Sequence, residues 1–182
     1  WFCSELMGLS LKNTAIVIKN SKGKTIYKDF GEMLFTHFGV SGPMILSASR
    51  HLLGRFDEEM TLYIDMKPAL DQKTLDSRIL KDFEKYINKD LKNALNDLLP
   101  QKIIPIIISL SGIDEAKKIH DITKEERKRL SELIKGLPVH LTGTAGFNEA
   151  VVTSGGINTD EIDPSTMESK IVKGLYFAGE IL

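Results

Sequence analysis

The feature that most constrains the fold of this chain is that its hydrophobic period changes twice. Residues 14–19 form a compact apolar run, and residues 25–30 and 60–66 alternate apolar with polar side chains, which is typical of β-strands. From residue 71 to residue 135, apolar side chains recur at helical spacing instead. Strand character returns at residues 139–143 and 149–153, on either side of a turn-rich stretch. This order predicts an α+β fold in which helices are inserted into a β structure.

The first third of the chain predicts a β-hairpin over residues 14–30, because two strand-like runs flank a polar turn. Gly31 is expected to separate this hairpin from a third strand at residues 32–36. Pro43 suits the first position of a helix, so a short helix is predicted from there through about Leu52.

The middle of the chain predicts several helices. Asp71 is the expected N-cap of the first, and Pro100 ends the second. Residues 105–110 are apolar apart from Ser109, so periodicity leaves open whether they form a helix or a strand. Residues 123–126 have the Thr-x-x-Glu form of a capping box, and the helix that they begin is expected to end at Gly136.

Composition limits the classes of function. The chain has 182 residues and a formal net charge of −1, so no overall field favours nucleic acid or an anionic membrane. The longest apolar run, residues 103–110, is far shorter than a membrane span, and no signal peptide is seen. We expect a cytoplasmic protein. Because the chain starts at Trp1 and stops at Leu182 within a predicted strand-to-loop transition, we also expect it to be a piece of a longer enzyme.

Metal and nucleophile motifs are missing from the sequence. The four histidines lack the spacing of metal ligands and Cys3 is the single cysteine, so no metal site is predicted. Ser41 and Ser154 lie beside glycines but outside the Gly-x-Ser-x-Gly pattern of a nucleophile elbow.

Three glycine-containing segments are candidate ligand sites. The first runs from Thr36 to Pro43 and offers free backbone N–H groups at a helix start; a simple strand-to-helix turn with a capping serine is the alternative. The second follows a predicted strand and could approach a ligand closely or form a tight turn. It consists of Thr153, Ser154, Gly155 and Gly156. In the third, a predicted strand at residues 175–178 leads into Gly179 and Glu180, where a carboxylate can accept hydrogen bonds from sugar-type hydroxyls.

Six segments in this order carry a resemblance that spans nearly the whole chain. They are residues 9–13 (LSLKN), 31–43 (GEMLFTHFGVSGP), 142–147 (TGTAGF), 153–156 (TSGG), 166–170 (TMESK) and 174–180 (GLYFAGE). Together they resemble the BaiN-like (YhiN-like) bacterial flavoproteins, NAD(P)- and FAD-dependent oxidoreductases of the aminoacetone oxidase family. The resemblance implies a small β-barrel with an inserted helical bundle, which is the insert domain of a two-dinucleotide-binding-type flavoprotein.

The resemblance also implies a division of the chain. Residues 1–70 and 137–153 would form the barrel, residues 71–136 the helical subdomain, and residues 154–182 the return segment into an FAD-binding domain. The glycine-rich motif that would hold the FAD pyrophosphate is not in this sequence. FAD is therefore expected in the full-length parent but not in this chain, which is expected to be inactive alone.

The resemblance assigns roles to the three glycine-containing segments. The first would face the flavin from the substrate side, through Thr36, Gly39, Ser41 and Gly42. His37 is its one titratable side chain, hence a candidate catalytic proton donor or acceptor, with a structural role as the alternative. The second segment would approach the isoalloxazine through Thr153, Ser154, Gly155 and Gly156. Gly179 and Glu180 would lie near the ribityl chain.

The expected partners are a small-molecule substrate and NAD(P)H in the parent, with no nucleic acid and no membrane. One alternative is a non-catalytic barrel module that binds RNA or protein, and another is a flavoprotein that modifies RNA. A single basic patch would favour an RNA-binding role. Its candidate members are Lys117, Lys118, Lys124, Arg127 and Lys128.

Overall fold

The computed structural model describes residues 2–146, 149–150, 155–179 and 181–182. The chain divides into two compact units, residues 1–144 and residues 145–182. In the described part of the chain, no helix is long and apolar enough to cross a membrane.

The first unit is built on one antiparallel sheet. Its described strands are β1 (Ser10–Asn20), β2 (Thr25–Thr36), β3 (Gly39–Ser41), β4 (Met60–Asp65) and β5 (Leu137–Leu141). They lie in the order β3-β2-β1-β4-β5, so the predicted hairpin and the strand predicted at residues 60–66 are confirmed. No described ladder joins β3 to β5. The predicted barrel is thus confirmed only as far as one five-stranded antiparallel sheet.

The prediction that Gly31 ends a strand is wrong, because β2 continues through it. A Cβ built on Gly31 would lie 3.3 Å from Cγ of Met44, which belongs to the helix that follows β3. The glycine therefore lets that helix pack closely on the strand. Such a contact lies far away in sequence, so the local pattern cannot show it.

Six α-helices are present in the described residues. They are α1 (Phe2–Glu5), α2 (Pro43–Leu52), α3 (Gln72–Lys85), α4 (Leu91–Ala94), α5 (Ile104–Ser111) and α6 (Lys124–Lys135). The Asp71 side chain caps α3 by accepting from the Thr74 N–H at 2.6 Å. The capping box of α6 is complete, with bonds of 3.2 Å and 2.8 Å between Thr123 and Glu126. These three helix starts, including α2 at Pro43, are confirmed.

The stretch that periodicity left open is the helix α5, which is apolar nearly all round and largely buried. Helices α3 to α6 lie in sequence between β4 and β5, which are neighbours in the sheet. Lys135 at the end of α6 ties this helical part to the sheet. Its Nζ lies 2.5 Å from Oδ2 of Asp65 at the end of β4 and donates to the carbonyls of Lys67 and Leu70.

The second unit is mostly turns. The Asp163 carboxylate accepts from the N–H groups of Ser165 and Thr166 and so closes a turn. The predicted strand at residues 175–178 is wrong for the described residues, since only an isolated bridge pairs Glu168 with Tyr176. The short apolar run bonds to residues 167–169 only through the Leu175 carbonyl and the Phe177 N–H, so no continuous ladder forms among the described residues. Most of the predicted strand at residues 149–153 lies outside the described residues.

Candidate functional site

The first glycine-containing segment forms a tight hairpin between β2 and β3. Thr36 pairs with Gly39, which leaves His37 and Phe38 as the two-residue turn. Gly39 has a φ of 150°, within the range that favours glycine. The structure therefore brings Thr36, His37 and Gly39 together at one end of the sheet. Sequence patterns missed β3 because it has only three residues.

Gly42 links β3 to α2 under tight steric limits. Its φ of 95° and ψ of 172° lie in a region that is nearly exclusive to glycine. A Cβ there would stand 3.0 Å from Cα of Met33 and 3.1 Å from the backbone nitrogen of Leu34. The helix N-cap is Gly42, and no side chain caps it. The interpretation of Ser41 as a capping serine is therefore wrong; Ser41 pairs with Leu34 in the sheet instead.

The Thr36 hydroxyl is buried and has no hydrogen-bond partner among the described residues. A buried hydroxyl without a partner costs about 1–3 kcal/mol of stability. Thr36 lies beside the His37–Phe38 turn, in the segment that the sequence singled out. The fold therefore leaves one hydrogen-bonding group unused in this segment, where it is covered from solvent.

We expect Thr36→Val to leave the fold intact and to raise the free energy of unfolding by about 1 kcal/mol, since it removes an unpaired hydroxyl at constant shape. Chemical denaturation followed by circular dichroism measures this change. Thr25→Val is the matched control on the same strand, because Thr25 is exposed and should change stability little. A loss of stability in Thr36→Val alone would contradict the absence of a partner.

His37 lies at the tip of this hairpin and is exposed. Its ring contacts Phe38 edge-to-face, with the ring centroids 5.0 Å apart. The imidazole makes no hydrogen bond to any described residue, so the structure offers no support for a buried, structural histidine here. The side chain is accessible to a substrate, as a proton donor must be.

The second and third segments meet within the second unit. The Ile157 N–H donates to the Ile181 carbonyl at 2.9 Å, which places residues 155–157 beside residues 179–182. A Cβ on Gly156 would stand only 2.5 Å from that carbonyl oxygen, so the approach requires glycine. Gly155 and Gly179 have φ angles of 137° and 86°.

The described glycines of this pair of segments fit a closely approaching ligand. A Cβ on Gly155 or Gly179 would meet nothing within 4 Å, so the space next to each backbone is open. The space beside Gly156, by contrast, is occupied by the carbonyl of Ile181. The remaining predicted cofactor residues, Thr153, Ser154 and Glu180, lie outside the described residues.

Sequence reasoning missed a cationic cleft of about 230 Å³ in the first unit. It is lined by Lys24, Thr25, Ile26, His51 and Arg55. The signal was present, since residues 19–28 contain four lysines and no carboxylate, and residues 50–56 contain two arginines and a histidine without a carboxylate.

An aromatic pair stands beside this cleft. The Tyr27 ring stacks on His51 at 4.9 Å, and the Tyr27 hydroxyl donates to Oδ2 of Asp29 at 2.8 Å. Partial burial, followed by this bond and the charge of Asp29, raises the pKa of the Tyr27 hydroxyl. The tyrosine therefore stays neutral and is held in place against the histidine.

The basic residues that the sequence suggested as an RNA-binding patch are largely neutralised by ion pairs. Lys117 pairs with Glu126, and Lys118 with Asp90. The other pairs are Arg127 with Asp76 and Lys128 with Glu132. Hydrogen bonds from Lys117 and from the Thr123 N–H lower the pKa of Glu126, which keeps that partner ionised. Within the described residues, no group of three or more His, Cys, Asp or Glu side chains is arranged to hold a metal ion.

Comparison with known proteins relates this chain to one family. The HI0933-like protein barrel and H2TH domain matches residues 1–152. A ribosomal RNA dihydrouridine synthase of Haemophilus influenzae is 34% identical over 181 residues, which cover 100% of this chain and 42% of the relative. A 3-dehydro-bile acid delta(4,6)-reductase of Clostridium scindens is 30% identical over 87% of this chain and 39% of its own length. A ribosomal RNA dihydrouridine synthase of Escherichia coli is 30% identical, with 87% and 37% covered.

Proposed function

This chain belongs to the family of HI0933-like proteins, and from that premise we propose that it is the substrate-side domain of an FAD-dependent oxidoreductase. The enzyme would reduce a carbon–carbon double bond that is conjugated to a carbonyl group. Because the chain spans 37–42% of the length of the relatives above, the activity belongs to the longer protein and not to this chain alone.

One observation carries the proposal: relatives with very different substrates share one kind of chemistry. Dihydrouridine contains two more hydrogens than uridine, at a double bond conjugated to a ring carbonyl. The name of the bile acid enzyme describes reduction of double bonds at positions 4 and 6, conjugated to an oxo group at position 3. In both reactions a hydride adds at the far end of the conjugated system and a proton must follow.

FAD, when bound, would supply the hydride. Negative charge then develops on the substrate carbonyl oxygen, where hydrogen-bond donors stabilise it. The N-terminal end of α2, which no side chain caps, is suited to this task. Ser41 would contribute a hydroxyl in the same segment, and a role for the covered Thr36 hydroxyl stays a prediction. His37, exposed beside them, would donate the proton.

The second unit would supply part of the cofactor site. Gly155 and Gly179 let backbone approach the flavin, and the open space beside each supports this role. The space beside Gly156 is occupied by the Ile181 carbonyl, so the role of Gly156 stays a prediction. The roles of Thr153, Ser154 and Glu180 and the division at residues 70, 136 and 153 stay predictions. NAD(P)H would reduce the flavin in the parent, and the chain alone would be inactive.

A non-catalytic module that binds RNA or protein remains the second candidate, favoured by the cationic cleft at Lys24, His51 and Arg55. The expectation of no nucleic-acid partner is untested. The names of two relatives favour the alternative in which a flavoprotein modifies RNA.

The absorption spectrum of the purified full-length protein separates the two candidates. We expect a flavin absorption band at about 450 nm in the full-length protein and none in this chain alone. A colourless full-length protein that takes up no added FAD would leave the binding module as the better proposal.

A further inference from the structure

We propose that the cleft lined by Lys24, His51 and Arg55 binds phosphate groups of an RNA backbone. The cleft holds about 230 Å³ and is open to solvent on the first unit. The proposal rests on the proposed function only for the identity of the polyanion, since a reducible uracil ring can be carried by RNA. The binding of phosphate itself follows from the charges and geometry of the cleft.

The two cations that line the cleft have no carboxylate partner. Neither Lys24 nor Arg55 forms an ion pair with any described carboxylate. In the helical part, seven of the basic side chains do form ion pairs, at 2.5 to 3.7 Å. They are Arg78, Lys85, Lys117, Lys118, Arg127, Lys128 and Lys135. Unpaired cations that line one cleft are available to an external polyanion.

The polypeptide holds this cleft in shape from two sides. The Asn20 side-chain oxygen Oδ1 accepts from the N–H groups of Lys22 and Lys24 at 3.2 and 2.9 Å, which closes the turn between β1 and β2. The amide of the same side chain donates to Oε2 of Glu58 at 3.0 Å. Asn20 thus joins the turn that carries Lys24 to the segment after α2 that carries Arg55. It binds one oxygen of the Glu58 carboxylate, which keeps its charge.

Aromatic side chains accompany the cations. The Tyr27 ring lies against His51, and the hydrogen bond to Asp29 fixes its orientation. Cations interleaved with aromatic rings are the pattern by which proteins bind single-stranded nucleic acid.

A simpler explanation accounts for only part of the arrangement. Arg50 and His51 lie in the last turn of α2, where the helix dipole favours positive charge. That effect does not explain Lys24, which belongs to a different element, or Arg55, which lies beyond the helix. Convergence of three elements on one cleft indicates a site.

The test measures binding of this chain to a labelled single-stranded fragment of ribosomal RNA over a range of salt concentrations. The double variant Lys24→Ala/Arg55→Ala is expected to bind at least about tenfold more weakly. The slope of log affinity against log salt should fall by about 1.4, because two phosphate contacts are lost. Lys85→Ala/Lys128→Ala is the matched control, since it removes the same charge from exposed, ion-paired positions. Circular dichroism verifies that both variants fold.

Equal losses in the two double variants, or none in the cleft variant, would overturn the proposal. Stronger binding to vesicles with about 30% phosphatidylserine than to RNA, lost in the cleft variant, would also overturn it in favour of a lipid headgroup. Flavin content and reduction of a small conjugated ketone are measured on full-length protein. Loss of RNA binding with this activity retained leaves the proposed function standing, whereas RNA binding by a protein without flavin removes the proposed function alone.

Discussion

Gly42→Ala is expected to lower the free energy of unfolding of the first unit by about 3 kcal/mol. Two causes act together. The backbone at Gly42 has a φ of 95° and a ψ of 172°, which an alanine adopts only under strain. The new Cβ would also stand 3.0 Å from Cα of Met33, in the neighbouring strand β2. Because the atoms that this Cβ would meet, Cα of Met33 and the nitrogen of Leu34, belong to the backbone, the contact can be relieved only by moving α2 away from the sheet.

Gly23→Ala separates these causes. Gly23 has a φ of 75°, but a Cβ there would meet nothing within 4 Å. This control variant should lose about 1 kcal/mol, from backbone strain alone. Urea denaturation followed by circular dichroism gives both values. Equal losses would mean that the close contact at Gly42 does not exist in solution.

His37→Gln is expected to slow substrate reduction by the full-length protein by about 100-fold, the lower end of what a general acid contributes. Glutamine keeps the size and a hydrogen-bond donor but cannot deliver a proton. Since His37 is exposed and bonds to no described residue, stability and flavin content should not change.

The rate is measured as reoxidation of the reduced flavin by substrate. His120→Gln is the matched control, because His120 is also an exposed histidine but lies in the helical part of the chain. Its rate should equal that of the wild type. A rate for His37→Gln within threefold of wild type would remove the proposed role of His37 as proton donor.

Local patterns predicted much of the fold. Asp71 and Thr123 begin helices because their own side chains satisfy nearby backbone N–H groups, and this information lies within four residues. The strand break predicted at Gly31 was wrong because the information needed there is distant in sequence. The role of this glycine depends on Met44 packing against β2, which no local pattern records. The apolar run at residues 104–111 also needed the structure, because a fully buried segment has no periodicity.

The candidate site was predicted in part. Composition pointed to the glycines and hydroxyls of residues 36–43, and the structure brings these together at one hairpin and one helix start. The sequence could not show that the Thr36 hydroxyl is unpaired, since pairing depends on every neighbour in space. The sequence also directed attention to five basic residues of the helical part. Carboxylates on other elements pair with three of them, Lys117, Lys118 and Arg127, which only the structure could show.

The most direct test of the central claim is an anaerobic titration of the reduced full-length protein. The flavin is reduced with NAD(P)H or dithionite, and a conjugated ketone or an RNA that contains uridine is then added without oxygen. The account predicts that the absorbance at about 450 nm returns in proportion to the number of double bonds reduced, while a saturated analogue has no effect. A protein that binds no flavin, or a bound flavin that neither substrate reoxidises, would contradict it.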